Sequence, residues 1–186
     1  MARPKKNDNE NIESAVDTAV DTVEKNDDVE IKVTRNQNKA MQIDENEEIQ
    51  IESLIPNVDY YDEASYNNFS WGEVGHIEYI PFGIVNNIWR NHRGYFVNLW
   101  IRPLDERVIK KFRLDKTYEK YDFVLDKENY TRDNVDKIFD IISSMPNSSK
   151  ISIINKIKAF VMTGEVTDVS VLVPLGRKLD VDFVNF

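Results

Sequence analysis

Apolar and polar residues alternate strictly in two stretches of the N-terminal third of the chain. A period of two is the β-strand period, so each stretch predicts a strand, and residues 40–43 suggest a third, shorter one. Because an isolated two-stranded ribbon is only marginally stable in water, we expect these strands to pair with the rest of the chain or with another subunit. The apolar positions of the two stretches are Val29, Ile31, Val33, Ile49, Ile51 and then Leu54 or Ile55.

Helical spacing dominates the second part of the chain. Two more short extended pieces come first, separated by a turn at Gly72 and Gly75. Apolar residues then recur every three or four positions, which is the spacing of one helix face. Residues 95–101 interrupt this pattern and predict a buried extended segment. Helices are predicted over residues 82–92, from 103 on, over 131–144, over 148–164 and from about 168 on, with a linker or a short helix at 116–125.

The last two predicted helices carry recognisable signals. Ile151, Ile154 and Ile157 recur on one ridge of the first, so we expect that ridge to face the core. Thr167 or Asp168 precedes the second and can cap its N-terminus. The predicted fold class is therefore α+β, with short β-strands followed by a cluster of short helices and preceded by a disordered acidic N-terminal arm.

The charge distribution divides the chain. Residues 1–67 hold 7 Lys and Arg against 17 Asp and Glu, a balance of −10, whereas residues 68–186 hold 17 against 16, a balance of +1. All three tryptophans and all nine phenylalanines lie in the second part. High net charge with few large apolar groups cannot offset the entropy of ordering. We predict a disordered acidic arm over 1–28, a β-strand extension and linker over 29–67, and a small α+β domain over 68–186.

The predicted arm contains a four-residue repeat, in which Ala-Val-Asp-Thr occurs at 15–18 and again at 19–22. On a helix, Val16, Val20 and Val23 form one narrow apolar stripe, which is able to dock in a partner's groove. A marginal helix, or none, is the alternative, because isolated helices this short are unstable in water. The candidate partner-binding residues are thus Val16, Val20, Val23, Ile31, Val33, Ile49 and Ile51.

Composition excludes several kinds of chemistry. The chain has no cysteine, which excludes disulfides, thiolate metal sites and cysteine nucleophiles. Its two histidines are few for a histidine-ligated metal site or a catalytic triad. Nucleotide-cradling, zincin and serine-hydrolase motifs are missing. Asp133, Asp136 and Asp140 recur on one helix face, which is typical of a solvated outer face. We therefore expect no enzyme activity, no cofactor and no metal.

No run approaches the roughly 18 to 20 apolar residues that a membrane span needs. The start, Met1 to Lys6, leads into Asn and Asp rather than into the apolar core of a signal peptide. We therefore expect a soluble protein made in the cytoplasm, without a membrane partner.

A basic stretch with interleaved aromatic residues raises the possibility of nucleic-acid binding. From residue 90 to 113 there are seven Lys and Arg against two acids, with Tyr95, Phe96 and Trp100 among them and Trp89 directly before them. Such a pattern is typical of a surface that tracks phosphates and stacks bases. A solvated amphipathic face has the same pattern, and the acidic N-terminal third repels phosphate. The candidate nucleic-acid-binding residues are Arg90, Arg93, Arg107, Lys110, Lys111 and Arg113.

Several landmarks recur in a fixed order over residues 68–180. They are Trp71 with Gly75, Ile80-Pro81, Tyr95-Phe96 with Trp100-Ile101, the run from Asp105 to Ile109, Phe112 with Tyr118, and the run from Thr163 to Asp168. This order resembles a family of small proteins encoded among the virion-structure genes of large tailed bacteriophages.

The resemblance implies a non-enzymatic virion component at the capsid or neck. Its implied partners are other virion proteins, in a homo-oligomer or a multi-copy assembly, and its implied location is the virion after synthesis in the host bacterial cytoplasm. An acidic arm and exposed strands suit a protein that orders its arm during assembly. Nucleic-acid binding by a regulatory protein is the alternative function.

Overall fold

Five short antiparallel strands and seven α-helices make up residues 42–185, which are the residues that the computed structural model describes. This confirms the predicted α+β class. The strands are β1 (Glu48–Ser53), β2 (Val58–Asp62), β3 (Asn67–Trp71), β4 (Ile77–Pro81) and β5 (Ile101–Pro103). The helices are α1 (Phe82–Asn91), α2 (Gly94–Val97), α3 (Glu106–Lys111), α4 (Asp115–Leu125), α5 (Val135–Ser144), α6 (Asn147–Met162) and α7 (Val169–Leu179).

The main sheet has the strand order β4-β1-β5, so β1 lies in its centre. Ile49 pairs with Ile80 of β4, and Ile51 lies opposite Pro103 of β5. The alternation of β1 directs Ile49 and Ile51 into the core, where they are 1% and 0% exposed. Strands β2 and β3 form a separate hairpin, in which Val58 pairs with Trp71.

The predicted boundary near residue 67 is wrong. Residues 42–67 belong to the same compact unit as residues 68–185, because β1 pairs with strands on both sides of it. The pairing partners lie about 25 to 50 residues further along the chain, so the charge distribution could not reveal them.

Gln42 and Ile43, the described part of the predicted third strand, form no strand. The predicted arm over 1–28 and the strand near 29–34 lie outside the described residues.

The first helix begins and ends almost where its pattern predicts, but the segment that follows does not. Residues 94–97 form the short helix α2 instead of an extended segment, and Phe96 is buried within it. The predicted helix start at Pro103 is wrong as well. Pro103 ends β5, and α3 begins after Asp105, whose side chain accepts a hydrogen bond from the Arg107 amide at 2.7 Å.

Helix α6 follows its predicted inner ridge only in part. Ile157 is fully buried, as predicted, and Ile154 is half-buried. Ile151 is 57% exposed, whereas Ser149, Ser152 and Ile153 are fully buried. Small polar side chains fit here because the Ser152 hydroxyl donates to the Asn98 carbonyl at 3.1 Å in the turn after α2. The satisfied hydroxyl makes the Ser152 position compatible with close packing.

The C-terminal helix α7 confirms its predicted cap, since Asp168 accepts a hydrogen bond from the Ser170 amide at 2.8 Å. It ends at Asp180 in the left-handed conformation, with φ 55°. No helix within residues 42–185 is long and apolar enough to cross a membrane.

Candidate interaction surfaces

The predicted partner-binding residues fall into two groups. Val16, Val20, Val23, Ile31 and Val33 lie outside the described residues. Ile49 and Ile51 were predicted to face a partner, and this is wrong. Both side chains are buried in the core by the central position of β1, so they cannot contact another molecule while the domain is folded.

Strand β4 lies at one edge of the main sheet. His76 directly precedes β4, and its carbonyl accepts a hydrogen bond from the Ser53 amide of β1 at 3.0 Å. The carbonyl group of His76 therefore faces β1. Because successive residues of a strand alternate, the amide and carbonyl groups of Ile77 and Tyr79 point to the opposite side. Within the described part of the chain no strand pairs on that side. The side chains of Ile77 and Tyr79 are 38% and 54% exposed, so β4 offers a free edge with apolar groups.

The basic aromatic stretch forms a stack of rings in the folded chain. The Trp89 indole stacks on Phe112 with a centroid distance of 4.7 Å and an interplanar angle of 4°. Phe82 stacks on the same phenylalanine at 6.3 Å. The Arg93 guanidinium lies 4.5 Å from the Trp89 ring, and the Lys111 ammonium lies 4.5 Å from the Phe82 ring. These aromatic rings therefore stabilise the packing of α1 against α3 and already have stacking partners.

Two of the six predicted nucleic-acid-binding residues are paired with acids. Arg107 bonds Asp105 at 2.6 Å and also contacts Glu47, while Lys110 lies 3.2 Å from Glu106. The hydrogen bond from the Arg107 side chain holds the pKa of Asp105 below its usual value, so this carboxylate stays charged at neutral pH.

The other four residues make no ion pair with any residue between 42 and 185. They are exposed and lie at or just after the C-terminal ends of α1 and α3, where Arg93 and Lys111 cover rings of the stack, and we refer to the four together as the basic surface. Its members are Arg90, Arg93, Lys111 and Arg113.

An acidic cleft of about 430 Å³ lies on the other side of α3, between that helix, α4 and the end of β5. Its apolar floor comprises the exposed Leu104, the half-buried Ile109 and the buried Tyr118. Its two cations are neutralised, since Lys110 pairs with Glu106 and Arg102 bonds Asp122 at 2.7 Å. Its carboxylates are Glu106, Asp115, Glu119 and Asp122.

Two of the cleft carboxylates have no cationic partner. Asp115 and Glu119 are both exposed and make no ion pair within the described part of the chain. They are four residues apart on α4, so they lie on the same face of that helix. The sequence reasoning did not identify this cleft, although the spacing of Asp115, Glu119 and Asp122 is the signal that would have indicated it.

The histidine, aspartate and glutamate side chains of residues 42–185 form no group that is able to hold a metal ion. Comparison with known proteins gives no matching family model, no matching curated protein and no matching solved structure. The resemblance to the bacteriophage family therefore stays a prediction.

Proposed function

We propose that this protein is a non-enzymatic structural or assembly protein of a tailed bacteriophage virion. It docks on capsid, neck or tail subunits through its N-terminal segment and its exposed strand. The order of landmarks over residues 68–180 supports the bacteriophage context. The observation that carries the docking role is the free edge of β4, with Ile77 and Tyr79 exposed beside unpaired backbone groups.

A free edge of this kind binds an extended segment of a partner by adding a strand. Backbone hydrogen bonds give such a complex affinity, and pockets for alternate side chains give it specificity. On β4 the outward backbone groups belong to Ile77 and Tyr79, and their side chains supply the apolar contact. Pro81 ends the strand and has no amide hydrogen, which limits the length of a strand that is able to pair.

The test is incorporation into phage particles when variants of the protein are supplied in the infected host. Ile77→Lys combined with Tyr79→Lys places two charges on the free edge, and we expect incorporation to fall at least about 10-fold. Removing residues 1–40 leaves the compact unit intact and is expected to reduce incorporation as well. A longer deletion that reaches residue 55 is unsuitable, because it removes the central strand β1.

Ile151→Lys serves as the matched control, because Ile151 is 57% exposed on a helix far along the chain from β4. It should be incorporated within about twofold of the wild-type level, as expected for a solvated surface site. Circular dichroism confirms that each variant is folded. Normal incorporation of both the β4 variant and the truncated chain would contradict the proposed docking role.

Nucleic-acid binding by a regulatory protein is the second candidate function. One observation favours it, namely that Arg90, Arg93, Lys111 and Arg113 have no acidic partner among the described residues. It predicts retention of a DNA duplex that weakens steeply with salt and is reduced by Lys111→Ala with Arg113→Ala. An electrophoretic mobility shift at about 50 mM salt measures this, and no shift at that salt concentration would contradict it.

A further inference from the structure

Helix α3 separates two surfaces of opposite charge. On one side lies the acidic cleft, to which Glu106, Ile109 and Lys110 of this helix contribute. On the other side Lys111 covers the Phe82 ring of α1, and Arg113 follows immediately after the helix. The exposed ridge of α3 is thus the border between the acidic cleft and the basic surface.

Charged side chains on both sides of α3 lack an ion-pair partner within the described part of the chain, two carboxylates in the acidic cleft and four cations on the basic surface. Asp115 and Glu119 have no ion pair in the acidic cleft, and Lys111 and Arg113 have none on the basic surface, among residues 42–185. Residues 42–185 carry 17 Lys and Arg against 24 Asp and Glu, a net charge of −7. Two copies therefore repel each other in general, so any attraction between them has to come from local complementarity.

We propose that two copies of this chain form a two-fold symmetric dimer across α3, with the acidic cleft of each copy receiving the basic surface of the other. In a two-fold dimer both subunits use the same surface, and each contact between two residues occurs twice with the subunits exchanged. Adjacent acidic and basic surfaces are therefore self-complementary, because the acidic cleft of each copy meets the basic surface of the other. The dimer stands independently of the proposed virion function, because it follows from the charges beside α3.

The floor of the cleft suits the side chains that would enter it. Lys and Arg have long aliphatic stems that pack on apolar surface while the charged head reaches a polar rim. Leu104 is 40% exposed and Ile109 is half-buried beside it, so the floor offers such a surface. Asp115 and Glu119 lie at the rim, where they meet the head groups of Lys111 and Arg113 from the second copy.

A second copy fits the basic surface better than a nucleic acid does. Base stacking needs an aromatic ring with an open face, but the Trp89 ring stacks on Phe112 and carries the Arg93 guanidinium. The carboxylates of the acidic cleft lie just across α3 and repel a phosphate backbone that passes the basic surface.

Charge-swapped variants of the full chain test the dimer. One variant carries Asp115→Lys and Glu119→Lys, and the other carries Lys111→Glu and Arg113→Glu. In a dimer of either variant alone, like charges lie against each other. We therefore expect the dimer dissociation constant to rise at least about 30-fold in analytical ultracentrifugation at about 50 mM salt. Mixed in equal amounts, the two variants regain opposite charges at both contacts, and the dimer should return as a heterodimer.

Arg177→Glu with Lys178→Glu lowers the net charge by four, as Lys111→Glu with Arg113→Glu does, but on α7. It should leave the dimer dissociation constant within about threefold of the wild type. Tryptophan fluorescence and thermal unfolding check that every variant is folded. A wild-type chain that stays monomeric at about 100 μM would overturn the proposal, as would charge-swapped variants that dimerise like the wild type. A mixture of the two variants that stays monomeric would overturn it too. So would a wild-type monomer that binds a DNA duplex through Lys111 and Arg113.

Discussion

Trp71→Ala is expected to lower the free energy of unfolding by about 4 kcal/mol, a large fraction of the roughly 5 to 15 kcal/mol that stabilises a typical domain. Trp71 is fully buried, and its indole nitrogen donates a hydrogen bond to the Ile51 carbonyl at 2.9 Å. The side chain thereby joins the β2–β3 hairpin to the central strand β1. Its removal leaves a cavity between the two sheets, and urea denaturation followed by circular dichroism measures the loss.

Trp71→Phe separates the two contributions to this loss. Phenylalanine keeps most of the apolar volume but cannot donate the hydrogen bond to Ile51, so we expect a smaller loss of about 2 kcal/mol. Trp89→Ala provides the comparison at a half-buried indole. A loss below about 1 kcal/mol for Trp71→Ala would contradict the position of this side chain between the hairpin and the main sheet.

Gly176→Ala is expected to destabilise the chain by about 2 to 4 kcal/mol, although alanine is the better helix former. A Cβ atom at this position of α7 would lie 2.4 Å from the Val181 carbonyl oxygen, which is a backbone atom. The oxygen approaches so closely because the chain turns back after Asp180, and the Val181 amide bonds the Gly176 carbonyl at 2.9 Å. The added methyl group forces this turn to open, since the backbone cannot move aside freely.

Gly72→Ala is the matched control, because a Cβ atom there has no heavy atom within 4 Å. We expect its free energy of unfolding to stay within about 0.5 kcal/mol of the wild type, the usual range for an exposed site. Thermal unfolding of both variants under the same conditions gives the comparison. Equal stability of Gly176→Ala and Gly72→Ala would show that the C-terminal turn does not pack against α7 as described.

Local signals predicted the parts of the fold that local interactions determine. The apolar spacing over 82–92 and 131–144, the break before Met145 and the cap at Asp168 are all decided within a few residues. Strand pairing is decided at a distance, so the central position of β1 could not be read from its alternation. The serine part of the buried face of α6 was missed because serine counts as polar in a pattern, whereas Ser152 is buried with its hydroxyl bonded to Asn98.

The sequence could predict which residue types form the candidate surfaces, but not which of those residues are exposed and unpaired in the fold. The basic stretch from 90 to 113 stood out as a sequence, but Arg107 is paired with Glu47, which lies 60 residues earlier. Whether the interleaved aromatic residues face solvent depended on the packing of α1 against α3, which brings Trp89 onto Phe112. The free edge of β4 required the strand order of the sheet, which no pattern of single strands specifies.

We propose that this chain is a structural component of a bacteriophage particle. Quantitative mass spectrometry of gradient-purified particles, compared with the lysate from which they come, tests this proposal most directly. We predict that the chain is enriched in the particles together with the major capsid and tail proteins, at a constant number of copies per particle that survives a salt wash. Abundance in the lysate with absence from the washed particles would contradict the claim.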